Sequence, residues 1–133
     1  MKKLVVAGKR KTAVAKATIE SGKGIILINK KPISSLQSLQ RLEISEPLAI
    51  AKDVLGKLEF DISVNVKGGG TNSQVEAGRL AIARAIVKFT GSEDVRNAFL
   101  AYDRNMIIAD TRRKEARKPG DSKARAMRQK SFR

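Results

Sequence analysis

The stretch KGGGTNSQ, Lys67 to Gln74, sets three consecutive glycines between a run that alternates like a strand and a run with helical spacing. Such a turn is a phosphate cradle in chemical terms, because its backbone N–H groups are unpaired and the dipole of the following helix favours negative charge. A P-loop, however, needs Lys and then Ser or Thr directly after the last glycine, to hold the β/γ-phosphates and Mg²⁺. Here Gly70 is followed by Thr71 and Asn72, and the dinucleotide pattern GxGxxG fails because Ser73 stands where its third glycine belongs. Two other readings are compatible with each other. Triple glycine permits a sharp strand-to-helix turn with close backbone packing, and the N–H groups around Gly69, beside Lys67, can hold an RNA phosphate. A small-molecule phosphotransferase using Gly68–Gly70 stands as the enzymatic alternative.

Other chemistry is restricted by what is missing. The chain has no cysteine and no histidine, which removes disulfides, thiolate and imidazole metal ligands, and Cys or His catalysis together. Acid–base work needs a pair of ionisable groups in a pocket. Asp61 lies on the polar side of a strand, and Glu46, Asp53 and Glu59 are scattered on helix surfaces. We therefore expect no enzyme, no cofactor and no small-molecule substrate.

The charge points elsewhere. The net charge of +15 is divided unequally: +6 over residues 1–16, +1 over residues 17–103 and +8 over residues 104–133. A nearly neutral middle with basic ends is the pattern of a globular domain that binds nucleic acid. At the first end, GKRKTA presents Lys9, Arg10 and Lys11 at the entrance to a strand, where Arg offers bidentate phosphate contacts and Lys point charges. At the other end, residues 111–133 carry ten basic residues and only two large apolar ones, Met127 and Phe132. Such a segment cannot bury enough apolar surface to offset its ordering entropy and is expected to be extended. With Phe132 its only aromatic, it suits phosphate contact rather than base stacking. The expected nucleic-acid contacts are Lys9, Arg10, Lys11, Lys67, Gly69 and Arg104, then Arg112, Arg113, Lys114, Arg117, Lys118, Lys123, Arg125 and Arg128. Arg79, Arg84 and Lys88, off the apolar stripe of the longest helix, face either RNA or solvent.

These residues need a scaffold, and 133 residues with 41% apolar content supply one core. Thr12 to Glu20 alternates as a strand, with Leu4 to Ala7 as an edge strand before Gly8. After Gly22-Lys23-Gly24, Ile25 to Ile28 is expected to pair back on it as a hairpin that Pro32 ends. A short helix is expected at Ser34 to Arg41. Ser45, with Glu46 and Pro47 behind it, predicts an N-cap and a helix to about Leu55, closed by Gly56. Phe60 to Lys67 alternates cleanly. The longest helix, Ser73 to Thr90, buries Val75, Gly78, Ile82, Ala85, Ile86 and Phe89, and Gly91 stops it. Ser92 caps a following helix that turns Val95 and Phe99 inward, and Met106 to Ile108 lies on the core. The fold class is α+β in two layers, a mixed sheet with helices packed on it, in a core of residues 1–110 followed by a basic tail of residues 111–133. No run reaches the roughly 20 apolar residues of a membrane span, and the chain is expected to be soluble, unprocessed and cytoplasmic.

Several of these runs coincide with one family. GGGTNSQVEAGRLAIARAI at Gly68–Ile86, GKRKTAVAKA at Gly8–Ala17, GKGIILIN at Gly22–Asn29, FLAYDRNMIIADTRRKE at Phe99–Glu115 and the ending QKSFR together resemble the ribosomal protein S-nine family of the small subunit, in order along the whole chain. The short N-terminus and the ending look archaeal or eukaryotic in type, with Phe132 where the family usually has Tyr. The resemblance implies a core like the second domain of ribosomal protein S-five, with a left-handed crossover. It also implies a place in the head of the small ribosomal subunit beside neighbouring head proteins, with the core on ribosomal RNA. The tail would then reach the peptidyl site, where Lys130, Ser131 and Arg133 would contact tRNA. The alternative outside the ribosome is a free-standing nucleic-acid-binding module.

Overall fold

A computed structural model of the chain describes residues 3–108. Five strands and three helices follow in the order β1 (Lys3–Arg10), β2 (Ala13–Ser21), β3 (Ile26–Ile28), β4 (Lys31–Pro32), α1 (Ser38–Leu55), β5 (Phe60–Lys67), α2 (Thr71–Thr90) and α3 (Glu93–Tyr102), with 3₁₀ turns at Ile33–Ser35 and Arg104–Met106. The sheet order is β1-β2-β5-β3-β4. All its pairings are antiparallel except β3 with β5, which run parallel and are joined by the crossover through α1.

Period-two alternation decides the layering. Val6 on β1, Ala13, Ala15, Ala17 and Ile19 on β2, and Phe60, Ile62, Val64 and Val66 on β5 all turn to one face and are buried there. The helices cover that face alone. The small residues are placed where the helix comes closest: β2 offers a row of alanines, α2 answers with Ala77, Ala81 and Ala85, and all six are fully buried. Larger side chains, among them Ile44, Ile82, Ile86, Val95, Phe99 and Met106, fill the core around this small-residue seam. Phe60 meets the edge of Phe89 at 6.1 Å between ring centroids. Arg79 of α2 joins the other two helices, reaching Glu46 of α1 at 2.6 Å and Asp103 just beyond α3 at 3.4 Å.

The two-layer α+β class and the mixed sheet are as the alternation predicts, and three local expectations are corrected. Ile25 to Ile28 does not fold back on β2. β5 lies between them, so the true hairpins are β1–β2, turning at Lys11-Thr12, and β3–β4, turning at Asn29-Lys30. In the second turn both central residues have positive φ, 50° and 67°, as a type I′ turn requires. Ser45 is not an N-cap: the N-cap of α1 lies eight residues earlier, at Gln37, and the Ser45 hydroxyl donates to the Arg41 carbonyl one turn back. Pro47 is buried inside this helix rather than at its start. Packing of Ile44, Pro47 and Ala51 against the core outweighs the local cost of the missing proline N–H. The predicted short helix at Ser34–Arg41 is a 3₁₀ turn followed by the first residues of α1. Other boundaries fit: Gly91 closes α2 with φ 65°, and the Ser92 hydroxyl accepts from Val95 N–H to cap α3.

The loop between β2 and β3 is fixed by one carboxylate. Asp61 Oδ1 accepts from the backbone N–H groups of Lys23, Gly24 and Ile25 at 2.9, 3.0 and 2.9 Å. The Ile25 hydrogen bond leads the causes that hold the Asp61 carboxyl below its ordinary value; partial burial opposes it, and the Gly24 and Lys23 bonds and the Lys23 charge add to it. A carboxyl whose folded pKa is depressed stabilises the fold above its unfolded value near 3.9 and loses that contribution as pH falls through the folded value. Asp61→Asn should therefore be less stable than the parent at pH 7, with the gap closing below about pH 4. Urea midpoints across that range check it, and a gap independent of pH would contradict it.

Candidate nucleic-acid interface

The face of the sheet away from the helices has no covering layer among the described residues, and its side chains are set by the same alternation. Register aligns Lys9 of β1, Val14 of β2 and Lys67 of β5 in one row, and Ala7, Lys16 and Asn65 in the next. Strands lie about 4.8 Å apart, so the Lys9 and Lys67 backbones are separated by roughly 10 Å with Lys16 between and beside them. All three lysines are exposed, and none has an ion pair with another described residue. A groove of about 650 Å³ runs here, lined by Thr12, Val14, Lys16, Asn29, Asn65, Val66, Lys67 and Gly68.

Acidic residues lie at the far end of the same face. Glu20 and Asp61 share the row of Lys3, six residues along β2 from Val14, or roughly 20 Å. That distance exceeds the Debye length of about 8 Å at physiological salt, so the carboxylates leave the lysine end unneutralised.

The expected contact residues divide between these surroundings. Lys9 and Lys67 belong to the lysine end, and Lys11 sits beside it in the β1–β2 turn with φ 55°. Arg10, alternating to the other side, donates through Nε to Glu76 of α2 at 2.6 Å and ties the hairpin to the helix. Gly69, with φ 66°, lies against Ala13 and Thr12, while Gln74 Nε2 donates to the Gly68 carbonyl and fastens the glycine loop to its own helix. Arg104 is exposed in the 3₁₀ turn after α3, with its carbonyl accepting from Ile107 and Ile108 N–H. The expected contacts from Arg112 to Arg133 lie outside the described residues. Lys16 and Asn29 were not among the expected contacts. Strand alternation alone places Lys16 on the open face, whereas Asn29 required the β3–β5 pairing, through which its Oδ1 accepts from Val66 N–H.

Among the described residues there is no acidic cluster able to hold a metal ion, and the Asp61 carboxylate is occupied by the loop it ties. The glycine turn carries no following Lys-Ser or Lys-Thr pair. What the described residues show is an α+β domain with a groove on its open sheet face, lined in part by the exposed Lys16 and Lys67.

Comparison with known proteins gives this class a family. A family model described as Ribosomal protein S9/S16 matches residues 8–133. A protein of Methanococcus vannielii named small ribosomal subunit protein uS9 is 44% identical over 136 residues, covering all of both chains. The protein of the same name from a Methanococcus maripaludis strain is also 44% identical with full coverage of both. The chain belongs to the ribosomal protein S9/S16 family and is a structural, non-enzymatic ribosomal protein. No described helix is long and apolar enough to cross a membrane.

Proposed function

We propose that this protein binds small-subunit ribosomal RNA through the lysine end of its open sheet face and through residues 111–133, in the head of the subunit among neighbouring head proteins. The observation that carries the reading is the segregation of charge: exposed Lys16 and Lys67 lining one groove with Lys9 in the same row of the sheet, and a C-terminal segment with ten cations, on a domain whose middle is nearly neutral. Phosphate contacts of this kind fix register and orientation without reading bases. Residues Lys130, Ser131 and Arg133 contact tRNA in the peptidyl site, the Arg133 guanidinium pairing with phosphate. The protein thus works in the cytoplasm as a part of the translating particle.

Two measurements test this. The native protein should sediment with small subunits and stay with them through a high-salt wash; release at moderate salt would favour a free-standing nucleic-acid-binding module. Subunits rebuilt with a chain lacking Lys130–Arg133 should assemble normally and hold peptidyl-site tRNA about tenfold less tightly, the worth of one charge-assisted hydrogen bond. Equal tRNA retention would remove the tRNA contact from the proposal.

A further inference from the structure

Arg84 lies on α2, where spacing alone allows a surface cation facing RNA or solvent. Its side chain is spent inward instead. Nε donates to the Ile107 carbonyl at 2.7 Å and a terminal nitrogen donates to the Ala7 carbonyl at 3.3 Å. The first acceptor closes the last turn of the described core. The second belongs to β1, whose only neighbour in the sheet among the described residues is β2. One guanidinium therefore links two carbonyls 100 residues apart in sequence, across a groove of about 410 Å³ lined by Val5, Val6, Val87 and Lys88.

We infer that Arg84 is a positioning residue, which fixes the turn Arg104–Ile108, from which the chain continues into residues 109–133, against β1. Within the turn, the Met106 side chain is fully buried, and Met106, Ile107 and Ile108 N–H groups bond to Asp103 and Arg104 carbonyls. Ile108, the last described residue, is 42% exposed. The Arg84 clamp acts on that turn. Its two donors are held in one plane at a fixed spacing, which suits two carbonyls from different elements; a lysine ammonium would reach one of them or share itself poorly between both.

The consequence for binding rests on the function proposed above; the clamp itself does not. A segment of 25 residues reaches at most about 80–90 Å, and a fixed origin raises its effective concentration at any one receptor, whereas a swinging origin spreads it over a larger volume.

The absence of cysteine makes the test direct. Spin labels at Ser63→Cys and Thr111→Cys in the full-length chain, free of RNA, report the distance from the sheet to the start of the tail. Labels at Ser63→Cys and Glu93→Cys report the core. Arg84→Gln should widen the first distance distribution about twofold and leave the second unchanged, and Arg84→Lys should fall between the parent and Arg84→Gln. An unchanged Ser63–Thr111 distribution would overturn the inference. Equal widening of both pairs would also overturn it, because Arg84 would then be holding the core together rather than fixing the turn. RNA takes no part in this measurement, so loss of the ribosomal RNA reading would leave its outcome intact.

Discussion

A chain ending at Asp110 should bind small-subunit ribosomal RNA with a far shallower salt dependence than the full-length protein. Each phosphate neutralised contributes about −0.7 to −0.9 to the slope of log affinity against log salt. Ten cations lie between Arg112 and Arg133. If most of them meet phosphate, truncation removes up to about 7 from the slope, and affinity at low salt falls by three or more decades. Replacing Lys9, Lys16 and Lys67 together by Gln removes three contacts at most, or about 2 to 3 in slope. The two variants therefore separate affinity from orientation. On the proposed function the tail would supply most of the electrostatic free energy, while the open face would set how the core sits. Filter binding of both variants across a salt series measures this, and truncation that leaves the slope within error of the full-length chain would contradict it. Hydroxyl-radical footprints should differ in the opposite sense: the lysine substitutions should erase protection by the core and spare protection by the tail.

The family was legible in the sequence because its motifs stand in order along the chain, from GKRKTAVAKA to the ending QKSFR. The site on the core was only partly legible. Lys9 and Lys67 are placed on the open face by simple alternation, and Lys16 is placed there by the same rule. Arg10 shows where adjacency in sequence misleads, since its neighbours Lys9 and Lys11 are exposed while it turns to Glu76 on α2. Strands were found where period two was clear, but their pairing was not. The short β3 segment is as compatible with a hairpin on β2 as with a parallel partner, and only the return of the chain through α1 decides between them. Ser45 and Pro47 resembled a helix start for sound local reasons. The buried residues of α1 overrode them, because burial of Ile44 and Pro47 outweighs one cap and one missing hydrogen bond. Arg84 was readable only as an off-stripe cation, since both its acceptors are backbone carbonyls, which no side-chain pattern reveals.

Alanine substitution should divide the glycines sharply, and the division bears on what KGGGTNSQ is for. Gly8 lies within β1 where α2 presses on the sheet. A Cβ there would stand 2.6 Å from the Ala77 carbonyl oxygen and 2.7 Å from Ala81 N, both backbone atoms of a long helix that cannot yield locally. Lifting α2 would open the alanine seam, so Gly8→Ala should cost about 3 kcal/mol, at the upper end for overpacking. Gly68 combines φ 79° with a Cβ position 2.6 Å from the Thr12 carbonyl oxygen. Left-handed strain adds to the clash there, and a similar loss is expected. Gly70 has φ −92° and no atom within 4 Å of its added Cβ, so Gly70→Ala should stay within about 0.5 kcal/mol of the parent. In thermal unfolding the first two should lower Tm by 12 °C or more, taking about 4 to 8 °C per kcal/mol for a domain of this size. A phosphate cradle would need all three glycines for ligand approach. A turn that packs against the β1–β2 hairpin needs Gly68 and Gly69 there and leaves Gly70 free. If Gly70→Ala destabilised the fold as much as Gly68→Ala, packing against Thr12 and Ala13 would not be the reason for the glycines. If Gly70→Ala kept its stability but lost RNA affinity, the N–H groups opening α2 would join the interface.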